Sequence, residues 1–164
     1  MSNTFETFDV REAPLYGVQL VEASAGTGKT WNIEGLFIRL MIERLLEPGQ
    51  ILVVTFTDAA TQELRERILQ RINVVARVVE NPDMDVNGDP FLQFCREKYG
   101  GNPAILNHLD HCKSRFDEAS IFTIHSFCKN ILTDYRFEAG LGSEINILND
   151  SSVLLREVLS DHWR

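Results

Sequence analysis

The sequence predicts an α/β fold in which a parallel sheet is flanked by helices and carries a small helical insertion. Three observations support this. Short apolar runs alternate with segments of helical periodicity, in the order strand, loop, helix, strand, helix. Ile51-Leu52-Val53-Val54 is continuously apolar, as a strand buried on both faces of a parallel sheet reads. A stretch of small residues rich in glycine, residues 23–30, separates a strand candidate from a helix.

In chain order, residues 18–22 form the first strand candidate and run directly into the small-residue loop. From Lys29 a helix follows, with Ile33, Leu36, Phe37 and Leu40 on one apolar face, and Glu47-Pro48-Gly49 stops it. After the run at 51–54, a second long helix places Leu64, Ile68, Ile72, Val75 and Val79 on one stripe. Residues 81–90 are rich in Pro, Gly and acidic or amide side chains and read as a loop. Residues 91–113 read as one or two helices broken near Gly100-Gly101-Asn102-Pro103, a helical insertion. Residues 119–123 return as a strand, and 125–132 are helical. Residues 145–148 suggest a last strand, and Asn149 or Asp150 then caps a helix through Val153, Leu154, Leu155, Val158 and Leu159. That helix has no stop signal, so residues 1–164 read as one domain's N-terminal part within a longer protein.

Composition narrows the class. A hydrophobic share of 44% and a charged share of 24% are ordinary for a globular protein. No apolar run approaches the ~20 residues of a membrane span, and the acidic N-terminus lacks the order of a signal peptide, so a cytoplasmic location is expected. Cys95, Cys112 and Cys128 form no close pair and read as free thiols. With His108 and His111 they make a poor zinc set, because no C-x-x-C pair anchors them. The net charge of −8 weighs against strong nucleic-acid binding by this chain alone.

The loop Ala23-Ser24-Ala25-Gly26-Thr27-Gly28-Lys29-Thr30 fits the phosphate-binding pattern G-x-x-x-x-G-K-[ST], with Ala in the first position. Gly26 and Gly28 permit backbone conformations in which amide N–H groups converge on phosphate oxygens. The N-terminus of the following helix adds partial positive charge. Lys29 would neutralise the β- and γ-phosphates, and the Thr30 hydroxyl would ligate Mg²⁺. Ser24 and Thr27 offer further side-chain hydrogen bonds. The competing reading is a structural turn with an incidental lysine, yet such a turn rarely needs so many small residues.

Two more segments share a form. Thr55-Phe56-Thr57-Asp58-Ala59-Ala60 follows the second strand, at the sheet end where ligands bind in parallel folds. Its hydroxyls suit phosphates and its ring suits a base face. Taken alone, it reads better as Phe56 packing in the core and Thr57 capping a helix. Phe122-Thr123-Ile124-His125-Ser126-Phe127-Cys128 likewise delivers Thr, His and an aromatic ring into a helix start. A lone His such as His125 reads more simply as a cap or a buried hydrogen-bonding group.

Together with the loop, these segments resemble superfamily 1 DNA helicases of the UvrD/Rep type. The loop is similar to motif I. Val54-Thr55-Phe56-Thr57-Asp58-Ala59-Ala60 through Glu63-Leu64-Arg65-Glu66-Arg67-Ile68 is similar to motif Ia, and Phe122-Thr123-Ile124-His125-Ser126-Phe127 looks like motif Ib. The wording Glu22-Ala23-Ser24-Ala25-Gly26-Thr27-Gly28-Lys29-Thr30, with Asp117-Glu118-Ala119 leading into the last segment, resembles the RecB-type branch over residues 15–163.

The resemblance implies a RecA-like ATP-binding domain of a 3′-to-5′ DNA helicase and nuclease subunit. Such a subunit works with RecC- and RecD-like partners in recombinational repair of double-strand breaks. It implies that Ala23 to Thr30 hold ATP and Mg²⁺, and that Thr55, Phe56, Thr57, Thr123 and His125 line a single-strand DNA track. Arg65 would aid phosphate contacts or be solvated. UvrD/Rep- and AddA-type helicases remain alternatives, as do a stand-alone P-loop module and a docking role for residues 91–113. The choice of ATP over GTP rests on the resemblance. No Asp-Glu pair follows an apolar strand, since Asp117-Glu118 precede theirs, so the chain by itself is expected not to turn over ATP.

Overall fold

The structure, a computed structural model, describes residues 7–24, 26–136, 138, 140, 152, 156 and 159. The chain forms two units, Met1–Thr123 and Ile124–Arg164. In the first, the elements are α1 (Lys29–Arg44), β1 (Val53–Thr55), α2 (Asp58–Glu80), α3 (Pro90–Tyr99), α4 (Pro103–Ser114) and β2 (Ile121–Thr123). Single 3₁₀ turns at Pro48–Gln50 and Phe116–Glu118 lead into the two strands. The second unit opens with α5 (Ile124–Asp134).

The α2 stripe is buried as its periodicity predicts: Leu64, Ile68, Ile72, Val75 and Val79 all lie in the core. Helices α1, α3 and α4 and both strands pack against this one helix. The break in residues 91–113 also falls where expected. Asp89 and Asn102 accept backbone N–H bonds at the starts of α3 and α4, each followed by a proline at the first helical position. Phe91, Leu92, Cys95, Tyr99, Leu109 and Cys112 contribute to the same core as α1 and α2.

Strands β1 and β2 pair in parallel, with Val53 opposite Ile121, Val54 opposite Phe122 and Thr55 opposite Thr123. A parallel pair needs a long crossover, and α2, α3 and α4 supply it. The fold is therefore α/β, with a small sheet and a large helical layer.

Three expectations need correction. Leu52 and Val54, expected in a strand buried on both faces, are exposed. Residues 18–22 are extended chain without strand pairing, and Val18 is fully exposed. A strand exists only through a neighbour, and among the described residues the sheet consists of β1 and β2 alone. In α1, the buried side runs through Glu34, Gly35, Phe37, Ile38, Met41 and Ile42, rotated from the predicted stripe. Leu36 and Leu40 are half-buried beside it and Ile33 is exposed. The rotation follows from close contact: a Cβ on Gly35 would lie 2.7 Å from a Val10 methyl carbon, so this face of α1 carries the N-terminal arm. The predicted strand at 145–148 lies outside the described residues. So does most of the final helix, of which Ser152, Arg156 and Leu159 are described and helical.

Arg39 fixes the arm. Its buried guanidinium donates to the carbonyls of Val10 and Ala13, both at 2.7 Å, and pairs with Glu43 at 2.7 Å. Glu43 also accepts the Tyr99 hydroxyl at 2.7 Å, joining α1 to α3. Burial pushes the Glu43 carboxyl up, but hydrogen bonds from Arg39 and Tyr99 and the charges of Arg39 and Lys98 outweigh it and hold it at about 2. A depressed carboxylate contributes stability above its unfolded value of 4.5 and loses it as pH falls towards 2. Glu43→Gln should therefore lower the melting temperature at pH 7. Its gap to the unaltered protein should close between pH 4.5 and about 2, as thermal melts across that range would show.

Candidate nucleotide and strand-contact site

The loop enters α1 through two left-handed glycines, Gly26 at φ 77° and Gly28 at φ 86°. Any other residue would be strained at either position. Ala25 lies outside the described residues. The Thr27 hydroxyl donates to the Ser24 carbonyl at 2.7 Å, closing the turn from within. Thr27 is thus part of the loop's scaffold, where the sequence suggested a hydroxyl offered to phosphate.

Gly28 is the N-cap of α1, with no side-chain capping bond and no acidic residue in the first turn. The first helical N–H groups therefore keep their hydrogen-bonding capacity, and the helix dipole there is unopposed by a carboxylate. The exposed Lys29 ammonium reaches back across the loop to the carbonyls of Ala23 at 2.7 Å and Ser24 at 3.1 Å. Neutral carbonyls are weaker partners for a cation than charged oxygens. Thr30 is half-buried in the first turn, beside the lysine. The loop thus brings together backbone N–H groups, a helix N-terminus and an exposed cation.

At the C-terminal end of the sheet, Thr55 and buried Thr123 are register partners on adjacent strands. The Thr55 and Thr61 hydroxyls share a 2.6 Å hydrogen bond, and both lie 3.1 Å from the Thr57 carbonyl. The Thr57 hydroxyl accepts the Ala60 N–H at 3.1 Å and caps α2. The Thr55 and Thr57 hydroxyls therefore serve this turn. Between them, Phe56 is 87% exposed, so it does not pack in the core as the segment alone suggests. The turn requires it: two inward-bonded threonines leave the middle side chain on the outside. His125 is exposed in the first turn of α5, two residues along the chain from Thr123, and belongs to the second unit.

Arg65 is half-buried and not simply solvated. It donates to the Ala119 carbonyl at 2.9 Å and approaches the Phe116 carbonyl at 3.5 Å, tying α2 to the entry of β2. Glu118 pairs with Arg115 at 2.6 Å in the 3₁₀ turn. His108 Nε2 and Cys112 Sγ are 3.4 Å apart on α4. Burial pushes the thiol of Cys95 up to about 12, and burial and the Glu47 charge push that of Cys112 to about 11. Thr61 and the pairing of Glu34 with Arg67 and Arg71 were not anticipated. The i,i+4 spacing of the two arginines on α2 is their only trace in the sequence.

The UvrD/REP helicase N-terminal domain family matches residues 6–163 of the chain. The chain belongs to that family. It is 37% identical to RecBCD enzyme subunit RecB of Escherichia coli strain K12, over all of this chain and 14% of that protein. Identity to the Haemophilus influenzae RecB is 37%, over 92% of this chain and 13% of the other. The RecB of Buchnera aphidicola subsp. Schizaphis graminum is 34% identical over 95% and 13% respectively. The chain thus spans about one-seventh of the length of these relatives. Within this UvrD/REP helicase domain the two neighbours at the start of α2 should behave differently on substitution. Thr57→Ala should cost about 1 kcal/mol of stability through the lost cap, whereas Phe56→Ala should stay within about 0.5 kcal/mol. Urea unfolding of the two variants measures both.

Proposed function

We propose that this chain is the ATP-binding part of a RecB-like 3′-to-5′ DNA helicase and nuclease subunit. The whole protein would act in recombinational double-strand break repair. The phosphate loop carries this reading: two left-handed glycines, an uncapped helix start and a lysine held by neutral carbonyls suit a triphosphate. Ala23 to Thr30 would hold Mg-ATP, with Lys29 at the β- and γ-phosphates and Thr30 on the magnesium. Family membership and the RecB relatives support ATP as the nucleotide and a RecA-like arrangement for the full domain. On this reading residues 91–113 are a helical insertion that packs into the core. The DNA track would run past Phe56, with Thr55, Thr57 and Thr123 shaping the strand ends behind it and His125 following along the chain. RecC- and RecD-like subunits would be the partners and the cytoplasm the location. No helix among the described residues is long and apolar enough to cross a membrane.

The loop binds phosphates in ground and transition states alike, so on its own it supplies affinity more than rate. Among the described residues no acidic pair sits at a strand end to fix the second side of a magnesium ion. The 164-residue polypeptide should therefore bind Mg-ADP and release phosphate from ATP far below a helicase rate. Calorimetry with Mg-ADP should show binding that Lys29→Ala weakens. Equal affinity of the two forms would remove the nucleotide assignment, and rapid Lys29-dependent phosphate release would remove the claim of incompleteness. For DNA, Phe56→Ala in the full-length protein should cost about 1–3 kcal/mol of single-strand affinity through one lost stack. Fluorescence anisotropy with a labelled oligonucleotide tests this, and unchanged affinity would take Phe56 off the track.

A further inference from the structure

One turn beneath the phosphate loop lies a polar cluster that the loop's own chemistry does not require. Glu34, on α1, is 5% exposed. Its carboxylate accepts from Arg67 at 2.8 Å and from Arg71 at 3.3 Å, both on α2. Arg71 also pairs with Asp89 at 2.6 Å, and Asp89 in turn caps α3 through the N–H groups of Phe91 and Leu92. The Arg71 guanidinium further lies 5.7 Å from the ring centre of Trp31 and 5.8 Å from that of Phe91, and those rings meet edge to face at 6.2 Å.

The cluster's position gives it a role. Trp31 is next to Thr30 in the first turn of α1, and Glu34 lies on the same side three residues further, as i,i+3 spacing requires. Helix α2 starts directly after Phe56 and Thr57. A buried ion network is weak evidence for stability, because desolvation offsets most of its Coulombic gain and apolar residues would fill the space as well. What it provides is directional fixing: planar guanidinium groups hold a carboxylate and a ring at defined angles. Phosphate-binding N–H groups gain most when they are held in place before the ligand arrives.

We infer that Glu34 and Arg71 are positioning residues for the nucleotide, fixing the first turn of α1 through Trp31 and linking it rigidly to α2. The inference rests on the nucleotide reading above. Occupancy of the loop should then be sensed at Trp31, and loosening the cluster should weaken nucleotide binding without touching a phosphate contact.

A comparison cluster lies on the same helix. Glu43, with Arg39 and Tyr99, is a similar buried network in the last turn of α1, away from the loop. In the 164-residue polypeptide, which has two tryptophans, Trp163→Phe leaves Trp31 as the single reporter. In that background, Mg-ADP affinity is measured by calorimetry and Trp31 emission by titration, for Glu34→Gln, Arg71→Lys, Glu43→Gln and Lys29→Ala. Mg-ADP should alter Trp31 emission in the background protein. Glu34→Gln and Arg71→Lys should weaken Mg-ADP by at least about fivefold and suppress the emission change. Glu43→Gln should lower the melting temperature yet leave affinity unchanged. If Glu34→Gln fails to fold, Arg71→Lys, which keeps the charge and loses the planar fork, decides alone. Lys29-dependent binding that Glu34→Gln and Arg71→Lys leave intact, or weaken no more than Glu43→Gln does, overturns this inference and spares the nucleotide reading. A background protein that binds no Mg-ADP overturns both.

Discussion

Every element of the first unit depends on the apolar stripe of α2. A helix of 23 residues at roughly 1.5 Å per residue is long enough to give each neighbour its own stretch of Leu64, Ile68, Ile72, Val75, Val79 and the residues beside them. Helix α1 rests on it and so places the phosphate loop. Helices α3 and α4 rest on it and return the chain to the sheet, which brings β2 alongside β1 in parallel. The register that sets Thr55 opposite Thr123 is therefore a consequence of how three helices pack, because a three-residue strand pair has too few ladder bonds to set it alone.

That dependence explains what could be read from the sequence. A stripe confined to one face of its helix was legible, as in α2. So were features encoded in a few adjacent residues: the Gly100-Gly101-Asn102-Pro103 break and the glycines of the loop. Features set by partners distant in sequence were not. Residues 18–22 have strand-like composition, but composition cannot supply a pairing neighbour. In α1, hydrophobic residues occupy more than one face, and the arm around Val10 decided which face is most deeply buried. Taken without the other motifs, the segment around Phe56 reads as core packing, while the ring is 87% exposed beside a turn held by hydrogen bonds of Thr55, Thr57 and Thr61. Arg65 was read as facing phosphate or solvent because its acceptors lie more than fifty residues away.

The arginines show how the charge is distributed. Arg39, Arg65, Arg67, Arg71 and Arg115 each bind carbonyls or carboxylates of other elements and act as long-range ties. Drawing an arginine away from a partly buried carboxylate leaves that carboxylate uncompensated, so such residues are poorly suited to meeting a passing anion. Five of the sixteen lysines and arginines are thus committed to internal ties, in a chain of net charge −8. On the proposed reading, contact with a DNA strand would use a base stacked against the exposed ring of Phe56.

Lys29 differs from the four carboxylate-paired arginines in the chemistry of its partners, and from Arg65, which also binds carbonyls, in being exposed. Its ammonium is exposed and bound to two backbone carbonyls, which lose little when it leaves because water can replace it. An incoming phosphate offers charged oxygens at the same loop, together with unclaimed N–H groups at the start of α1. On the proposed reading, this exchange of neutral for charged acceptors would favour the anion at Lys29 and not at Arg39, Arg67, Arg71 or Arg115, which are paired with carboxylates. Selectivity for phosphate would, on the same reading, follow from which cations the fold has already committed to carboxylates, as much as from the glycines that shape the loop.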